Sequence, residues 1–435
     1  MKKTLSVLDV VALIVGIVVG VGIFKTPSLV AANAGSVGTF LLTWVLGGAI
    51  SFVGALCYAE LATAYPHPGG EYHYLTRAYG PRVSFLFAWA RMTVIQTGSI
   101  AMLSFVLGDY MSRIYSLGPY SPSIYGAAGI IILTVINIIG IREGKTTQNL
   151  LTVTKIIGLL IVVIGGVFFS SPFSTAQEQP YLTGHVFGLA MIFVLLTYGG
   201  WNEAAYISAE LKGSGRGMVH SLLWGILIIT SIYVLINWVY VHVLGIVSVG
   251  KSDAIVFDVM VRIVGHYGAV LSTVLIAISA LGAMNATIIT GARTNYALGT
   301  EFSIFRFLGA WHESSGTPAN ALIVQGAISF FLVVLGSITM KGFVTMVEYT
   351  APIFWLFFFL TTLSIIILRL KEPEAKRPFV VPGYPVTPLL FCAICIYMLV
   401  SSIQYTGIGA LTGIAVFLTG TFFMKLSKHH VTKRR

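Results

Sequence analysis

Three groups of residues in this chain have types and spacings that could do chemistry, and each lies in an apolar run. The first is Gly16, Gly20 and Gly22, followed by Lys25 and Pro27, in the stretch GIVVGVGIFKTPS. The second is Gly199 and Gly200, followed at once by Trp201, Asn202 and Glu203. The third is one cation, Lys155, in TVTKIIGLLIVV. Adjacent glycines weaken a helix by roughly 1 kcal/mol each relative to alanine. A broken helix exposes backbone N–H and C=O groups. A half-helix starting near Gly22 offers free N–H groups and a positive dipole end, a seat for a carboxylate. Carbonyls freed around Val18 and from Leu196 to Gly199 can accept from an ammonium. Donors on one side and acceptors on the other fit a zwitterion such as an amino acid. Close helix packing through small residues is the competing account. It suits Gly16 and Gly20, four apart, better than a polar Trp-Asn-Glu set directly after Gly-Gly.

The elements that carry these residues follow from composition. Of 435 residues, 56% are hydrophobic and 9% charged, where a soluble chain has roughly a quarter charged. Lipid must therefore be the solvent for most of the chain. Spanning it by helix takes about 20 apolar residues, because backbone groups must pair within the segment. The apolar runs are continuous rather than alternating, which excludes a β-barrel. The pattern predicts an all-α integral membrane fold with twelve spans. They fall near 7–33, 38–64, 82–109, 123–140, 149–170, 183–209, 218–246, 266–296, 320–339, 343–369, 386–404 and 407–426. The opening run, after Met-Lys-Lys, imitates a signal peptide but is too long and is interrupted by Lys25 and Pro27. It reads as a retained first span.

Charge placement gives orientation. With the amino terminus inside, about 19 of the 26 basic residues fall in cytoplasmic segments, as the positive-inside bias requires. Both termini are then cytoplasmic, in a cell membrane (plasma or inner). The net charge of +11 belongs to loops and the tail KLSKHHVTKRR, which suits lipid headgroups and calls for no nucleic-acid partner. Cys57, Cys392 and Cys395 all lie in apolar runs and imply no disulfide framework. The Cys392-x-x-Cys395 spacing reads as core thiols, and the scattered histidines give no ligand set. No metal or cofactor is expected. Asn285-Ala-Thr matches a glycosylation pattern but sits within a span.

The two glycine breaks fall in spans one and six, the first members of two sets of five. Breaks in matching positions of two halves point to inverted repeats with a site between them. The expected organisation is one transmembrane domain over 1–435. Its first repeat is 7–170, its second 183–369, and two additional helices occupy 386–426. An enzyme would need convergent His, Asp, Glu or Cys groups at one depth, and a channel a repeated filter or charge ring. Neither is visible.

At these residues the chain resembles the amino acid–polyamine–organocation superfamily, especially the bacterial type of its L-type amino acid transporter branch. The matching stretches are GVGIF (20–24), YPHPGGEYHYL (65–75), YGGWNEAAYISAELK (198–212), GARTNYALG (291–299) and KRPFVVPGYPVTPLLF (376–391). They run in order from the first span to the eleventh. The resemblance implies a LeuT-like five-plus-five fold, with helices 1 and 6 unwound mid-membrane and alternating access around a central site. By motif, the carboxylate would meet the N–H groups of Val21 and Gly22, beside Gly20. The ammonium would meet the carbonyls of Val18, Leu196 and Gly199. Trp201 reads as a gate or a packed aromatic, and Asn202 as a substrate contact or a cap. Val21 stands where many relatives have Ser, Ala or Thr. Leu196-Thr197 stands where several large-neutral transporters carry Phe. Both departures favour small neutral substrates: alanine, serine or glycine.

The resemblance also places a lysine on span five near the site that sodium occupies in coupled relatives. Lys155 would replace the ion, and transport would need no sodium. Snorkelling to the headgroups is its simpler reading, and a depressed pKa would let it carry a proton. Glu203 reads either as the first-turn acid of a helix start or as a polar contact near the substrate or Arg91. Arg293 and the YPHPGGEY loop read as cytoplasmic vestibule. The function implied is sodium-independent amino-acid exchange. Its rivals are proton-coupled symport and a transporter-like sensor. Eukaryotic members of the branch often bind a single-span glycoprotein through a cysteine between spans three and four. Residues 110–122 contain none, so no disulfide-linked heavy subunit is expected.

Overall fold

A computed structural model describes residues 7–67, 69–139, 160–168, 187–210, 215–313, 316–404 and 407–426. The described residues form helices joined by turns and short 3₁₀ segments. Among them, nine helices are long and apolar enough to cross a membrane. The first expected span is absent from that set because it is two pieces, Val7–Val18 and Thr26–Ala34, of 12 and 9 residues. The sixth is likewise divided into Phe187–Tyr198 and a 3₁₀ segment, Trp201–Glu210, of 12 and 10 residues. Most of the fifth, including Lys155, lies outside the described residues; 160–168 are helical.

The chain divides into two compact units. One comprises Met1–Ser84, Ser171–Ile255 and Phe354–Tyr405; the other comprises Phe85–Ser170, Val256–Ile353 and Thr406–Arg435. Each takes pieces from both of the expected repeats, 7–170 and 183–369.

Both helix breaks belong to the first unit. Its helices are α1 (Val7–Val18), α2 (Thr26–Ala34), α3 (Val37–Ala64), α4 (Gly70–Tyr79), α5 (Phe187–Tyr198), α6 (Gly215–Leu244), the part of α7 (Gly342–Lys371) from Phe354 onward, and α8 (Val386–Gln404). Ser36 caps α3, its Oγ accepting from Thr39 N–H at 3.1 Å, which satisfies one of the donors left open at a helix start. Small residues then let α3 approach its neighbours. A Cβ at Gly47 would stand 2.4 Å from Val194 of α5, one at Gly48 2.3 Å from Thr230 of α6, and one at Gly54 2.5 Å from Phe391 of α8.

The far end of α3 carries a buried carboxylate, Glu60. Removing such a charge from water is costly unless it is paired and fully hydrogen-bonded. Arg369 of α7 donates to it from Nε and Nη2 at 2.8 and 2.6 Å. Val381 N–H adds a third bond at 2.7 Å, and Arg377 Nε stands at 3.8 Å. Arg369 also lies 3.7 Å over the Tyr384 ring. Beside it the more exposed pair Arg77–Glu372 closes at 2.6 Å. These contacts fasten the chain after α7 to the ends of α3 and α4.

In the second unit, helices Pro81–Ile114, Ser121–Ile139, His266–Glu301 and Ala319–Ile338 share a ladder of buried amides. Asn137 Nδ2 donates to Asn285 Oδ1 at 2.7 Å, Gln96 Nε2 to Thr287 O at 3.1 Å, and Gln325 Nε2 to Ile288 O at 3.0 Å. Asn285 is fully buried, which leaves no room for a glycan. Arg91 opens a π-helical turn, Arg91–Ile95, and is buried. Arg293 is exposed. All three cysteines are buried and free of disulfides.

Candidate functional site

The first break begins where α1 stops at Val18. Gly20 is extended (φ −99°, ψ −164°), a four-residue 3₁₀ turn runs Val21–Phe24, and α2 starts at Thr26. The first N–H groups of a helical segment have no acceptor within it. At this start those groups belong to Val21 and Gly22. Pro27 sits in the first turn of α2, where a missing N–H costs nothing. Lys25 Nζ donates to the Asp253 carbonyl at 3.0 Å. Lys25 and Pro27 therefore serve the start of α2 and the chain beyond it, not the break itself.

The carbonyls of the break are largely engaged. Val18 O accepts from Gly20 N–H at 2.6 Å and from Tyr233 Oη at 2.7 Å. Ile23 O accepts from Tyr240 Oη at 3.3 Å. Gly22 O accepts from Lys25 N–H at 3.0 Å and Thr26 Oγ1 at 2.9 Å. A carbonyl has two lone pairs, and the second one on Val18 is met by the Tyr233 hydroxyl, whose single proton is also within reach of the Thr197 carbonyl at 3.0 Å. Tyr233 and Tyr240, seven residues apart on one face of α6, were not among the expected site residues. A buried tyrosine hydroxyl usually finds a partner, and here both reach carbonyls at the first break, Tyr233 that of Val18 and Tyr240 that of Ile23.

At the second break α5 ends at Tyr198. Gly199 N–H returns to Leu196 O at 3.0 Å, and Glu203 N–H to Gly200 O at 3.1 Å. Gly200 is left-handed, at φ +109°, and a Cβ there would stand 2.9 Å from Ile17 of α1. Only glycine meets both demands without strain. Thr197 is buried and faces the first break. Its Oγ1 lies 2.6 Å from Thr26 Oγ1 and 2.8 Å from Phe193 O. Its carbonyl is 3.0 Å from Tyr233 Oη. A Cβ at Gly22 would press Thr197 Cγ2 at 3.2 Å. Thr197 thus braces the two breaks against each other, and its hydroxyl is already engaged in that brace.

The expected residues Val18, Gly20, Val21, Gly22, Leu196, Thr197 and Gly199 therefore belong to one hydrogen-bonded neighbourhood of the first unit. Val18, Val21 and Thr197 are buried, while Gly20, Gly22, Leu196 and Gly199 keep partial exposure. Gly16 does not belong to a close-packed seam, since a Cβ there would meet nothing within 4 Å. Spacing four residues from Gly20 is not enough to make it a contact.

Trp201 and Asn202 point elsewhere. Trp201 is buried and meets Tyr58 edge-on at 5.1 Å, Phe358 at 5.6 Å and Phe391 at 6.4 Å. It lines a small recess with Ser51, Leu195, Gly199, Trp355 and Phe358. Asn202 Nδ2 reaches Glu71 Oε1 at 3.4 Å, and Tyr58 Oη reaches the same oxygen at 2.5 Å. Glu71, in the GGEYHY stretch, is buried and was read only as vestibule wall. Glu203 is half-buried in the first turn of the 3₁₀ segment. On α4, His73 stacks on His67 at 4.1 Å. Burial, then the neighbouring His67, pushes its pKa down to about 4.

Nine helices long and apolar enough to cross a membrane among the described residues, together with the family the chain matches, give the class: a multi-pass membrane transporter. The amino acid permease family profile matches residues 5–424, and the chain belongs to that family, in the L-type branch of the amino acid–polyamine–organocation superfamily. It is 31% identical to the b(0,+)-type amino acid transporter 1 of Homo sapiens over 412 residues, 93% of this chain and 83% of that one. It is 27% identical to the serine/threonine exchanger SteT of Bacillus subtilis, over 95% of both chains. It is 28% identical to the Asc-type amino acid transporter 1 of Mus musculus, over 98% of this chain and 83% of that one.

Proposed function

We propose that this transporter is a sodium-independent exchanger of small neutral L-amino acids, working by alternating access. The observation that carries the reading is that Gly20, Gly22, Leu196 and Gly199 keep partial exposure at the two interruptions while Val18, Val21 and Thr197 beside them are buried. The carboxylate is received by the N–H groups of Val21 and Gly22. The ammonium falls to the carbonyls of Leu196 and Gly199, with Val18 joining only when Tyr233 releases it. Trp201 and Asn202 respond to occupancy from the far side of Gly199, and Glu203 serves the start of the 3₁₀ segment. The relative named as a serine/threonine exchanger supports a small substrate and counter-flow. In this reading the fold has twelve spans with both termini cytoplasmic, spans one and six are unwound mid-membrane, and the halves are inverted repeats. No disulfide-linked heavy subunit is needed. Lys155, outside the described residues, takes the place of a coupling sodium.

Trans-stimulated uptake in proteoliposomes tests this reading, with and without sodium, for wild type and Lys155→Ala. Uptake should need internal amino acid, be indifferent to sodium, favour alanine, serine and glycine, and fall sharply in the variant. Uptake driven by a pH gradient into empty vesicles overturns exchange. A sodium requirement in wild type overturns the role given to Lys155.

A further inference from the structure

Glu71 is a buried carboxylate that none of the substrate contacts uses. It lies in the first turn of α4, directly after Gly70, whose φ is +45°, and it is 4% exposed. One oxygen receives two donors of very unequal length. Tyr58 Oη, from α3, is at 2.5 Å, a distance typical of a strong charge-assisted bond. Asn202 Nδ2, from the second half of the broken sixth span, is at 3.4 Å, near the limit for any hydrogen bond. The short bond joins α3 to α4. The long one joins that pair to the 3₁₀ segment Trp201–Glu210. A 3₁₀ segment has poorer hydrogen-bond geometry than an α-helix, so it repacks at lower cost than either neighbour.

We propose that Glu71 is a positioning residue for gating: a latch whose long bond to Asn202 holds the 201–210 segment closed against α3 and α4, and parts when the cytoplasmic side opens. Tyr58 fixes the carboxylate on the stationary side. It also offers its ring to Trp201 at 5.1 Å, so the two residues after Gly200 are both held from the same place. The inward direction of the opening rests on the orientation proposed above. The simpler account, in which Glu71 only stabilises the start of α4 through the helix dipole, predicts a different locus of damage.

Hydrogen–deuterium exchange of the full chain in detergent separates the two accounts. In Glu71→Ala, amides of 201–210 should exchange roughly five-fold faster, the effect of one lost side-chain hydrogen bond. Amides of 70–79, which lose the Tyr58 bond, should exchange faster as well, so the change at 201–210 is the readout that belongs to the latch. Faster exchange confined to 70–79, or no change at 201–210, overturns the latch. In oriented proteoliposomes the same variant should raise KM for external substrate and lower it for internal substrate; equal shifts in one direction also overturn it. If Glu71→Ala does not fold, Glu71→Gln should show the same signs at smaller size. Tyr58→Phe, which loosens the carboxylate but keeps the Asn202 bond, should move the two KM values in the same directions by less than Glu71→Ala. The amide readout does not depend on counter-flow, so failure of the exchange reading leaves the latch testable.

Discussion

Two glycine-to-alanine changes of identical chemistry should have opposite effects, and the sign follows from where each Cβ would go. At Gly200 the backbone sits at φ +109°, which costs a non-glycine residue about 1–2 kcal/mol. The new Cβ would also stand 2.9 Å from Ile17 Cγ2, and overpacking of this kind costs about 1–3 kcal/mol. The two terms together put Gly200→Ala about 2–5 kcal/mol below wild type. Gly16 lies inside α1, and its Cβ would meet nothing within 4 Å. Gly16→Ala should therefore recover helix propensity and stabilise by up to about 1 kcal/mol. Gly22→Ala falls between them, because Thr197 Cγ2 at 3.2 Å needs to yield only slightly. Thermal midpoints of the purified variants, read by fluorescence-detected size exclusion, give the order Gly16→Ala, wild type, Gly22→Ala, Gly200→Ala. A Gly16→Ala variant as damaged as Gly200→Ala would refute the assignment of the break to Gly200 and its contact with α1.

Tyr233→Phe keeps the ring contacts with Trp44 and Tyr198 but removes the hydroxyl shared by Val18 and Thr197. It should cost about 1–3 kcal/mol in thermal stability and lower substrate KM by freeing a Val18 lone pair; an unchanged KM denies Val18 any reach to the ammonium. Arg369→Met leaves Glu60 buried without its bidentate partner and should cost about 3–5 kcal/mol. The double variant with Glu60→Gln should regain much of that in the same melts. His73 titrates lower in the fold than when unfolded, so the unfolded chain binds the extra proton first. Stability should thus fall as pH drops from about 6.5 toward about 4, and His73→Gln should flatten that part of the melting profile. Glu372, held below its usual range by its hydrogen bond to Arg77, adds a loss that starts at the usual carboxylate range and grows as pH falls through its lowered value.

Glycines close together in an apolar run were the legible signal, with a polar Trp-Asn-Glu set behind the second pair, and α1 stops at Val18 and α5 at Tyr198 beside them. What closes around them was not legible. Tyr233 and Tyr240 look like ordinary aromatics of an apolar span until the carbonyls they serve are freed by folding. Gly16 shows the converse failure, since spacing names a face but not what packs on it. Glu71 was hidden by its place in a loop motif, because nothing in the sequence says that a residue after Gly-Gly turns inward to Tyr58. Thr197 was read for what it replaces in relatives, while its environment makes it a brace.

The brace between Thr26 and Thr197 has too few protons for its contacts. Each hydroxyl carries one, yet three short distances compete: Thr26 to Gly22 O, Thr197 to Phe193 O, and the 2.6 Å approach of the two oxygens. One hydroxyl must donate to the other, so one of the two carbonyls goes without. The pair therefore has two proton arrangements, one that leaves the Gly22 carbonyl without its hydroxyl donor and one that leaves the Phe193 carbonyl without it, so the brace can exchange its donor with no heavy atom moving.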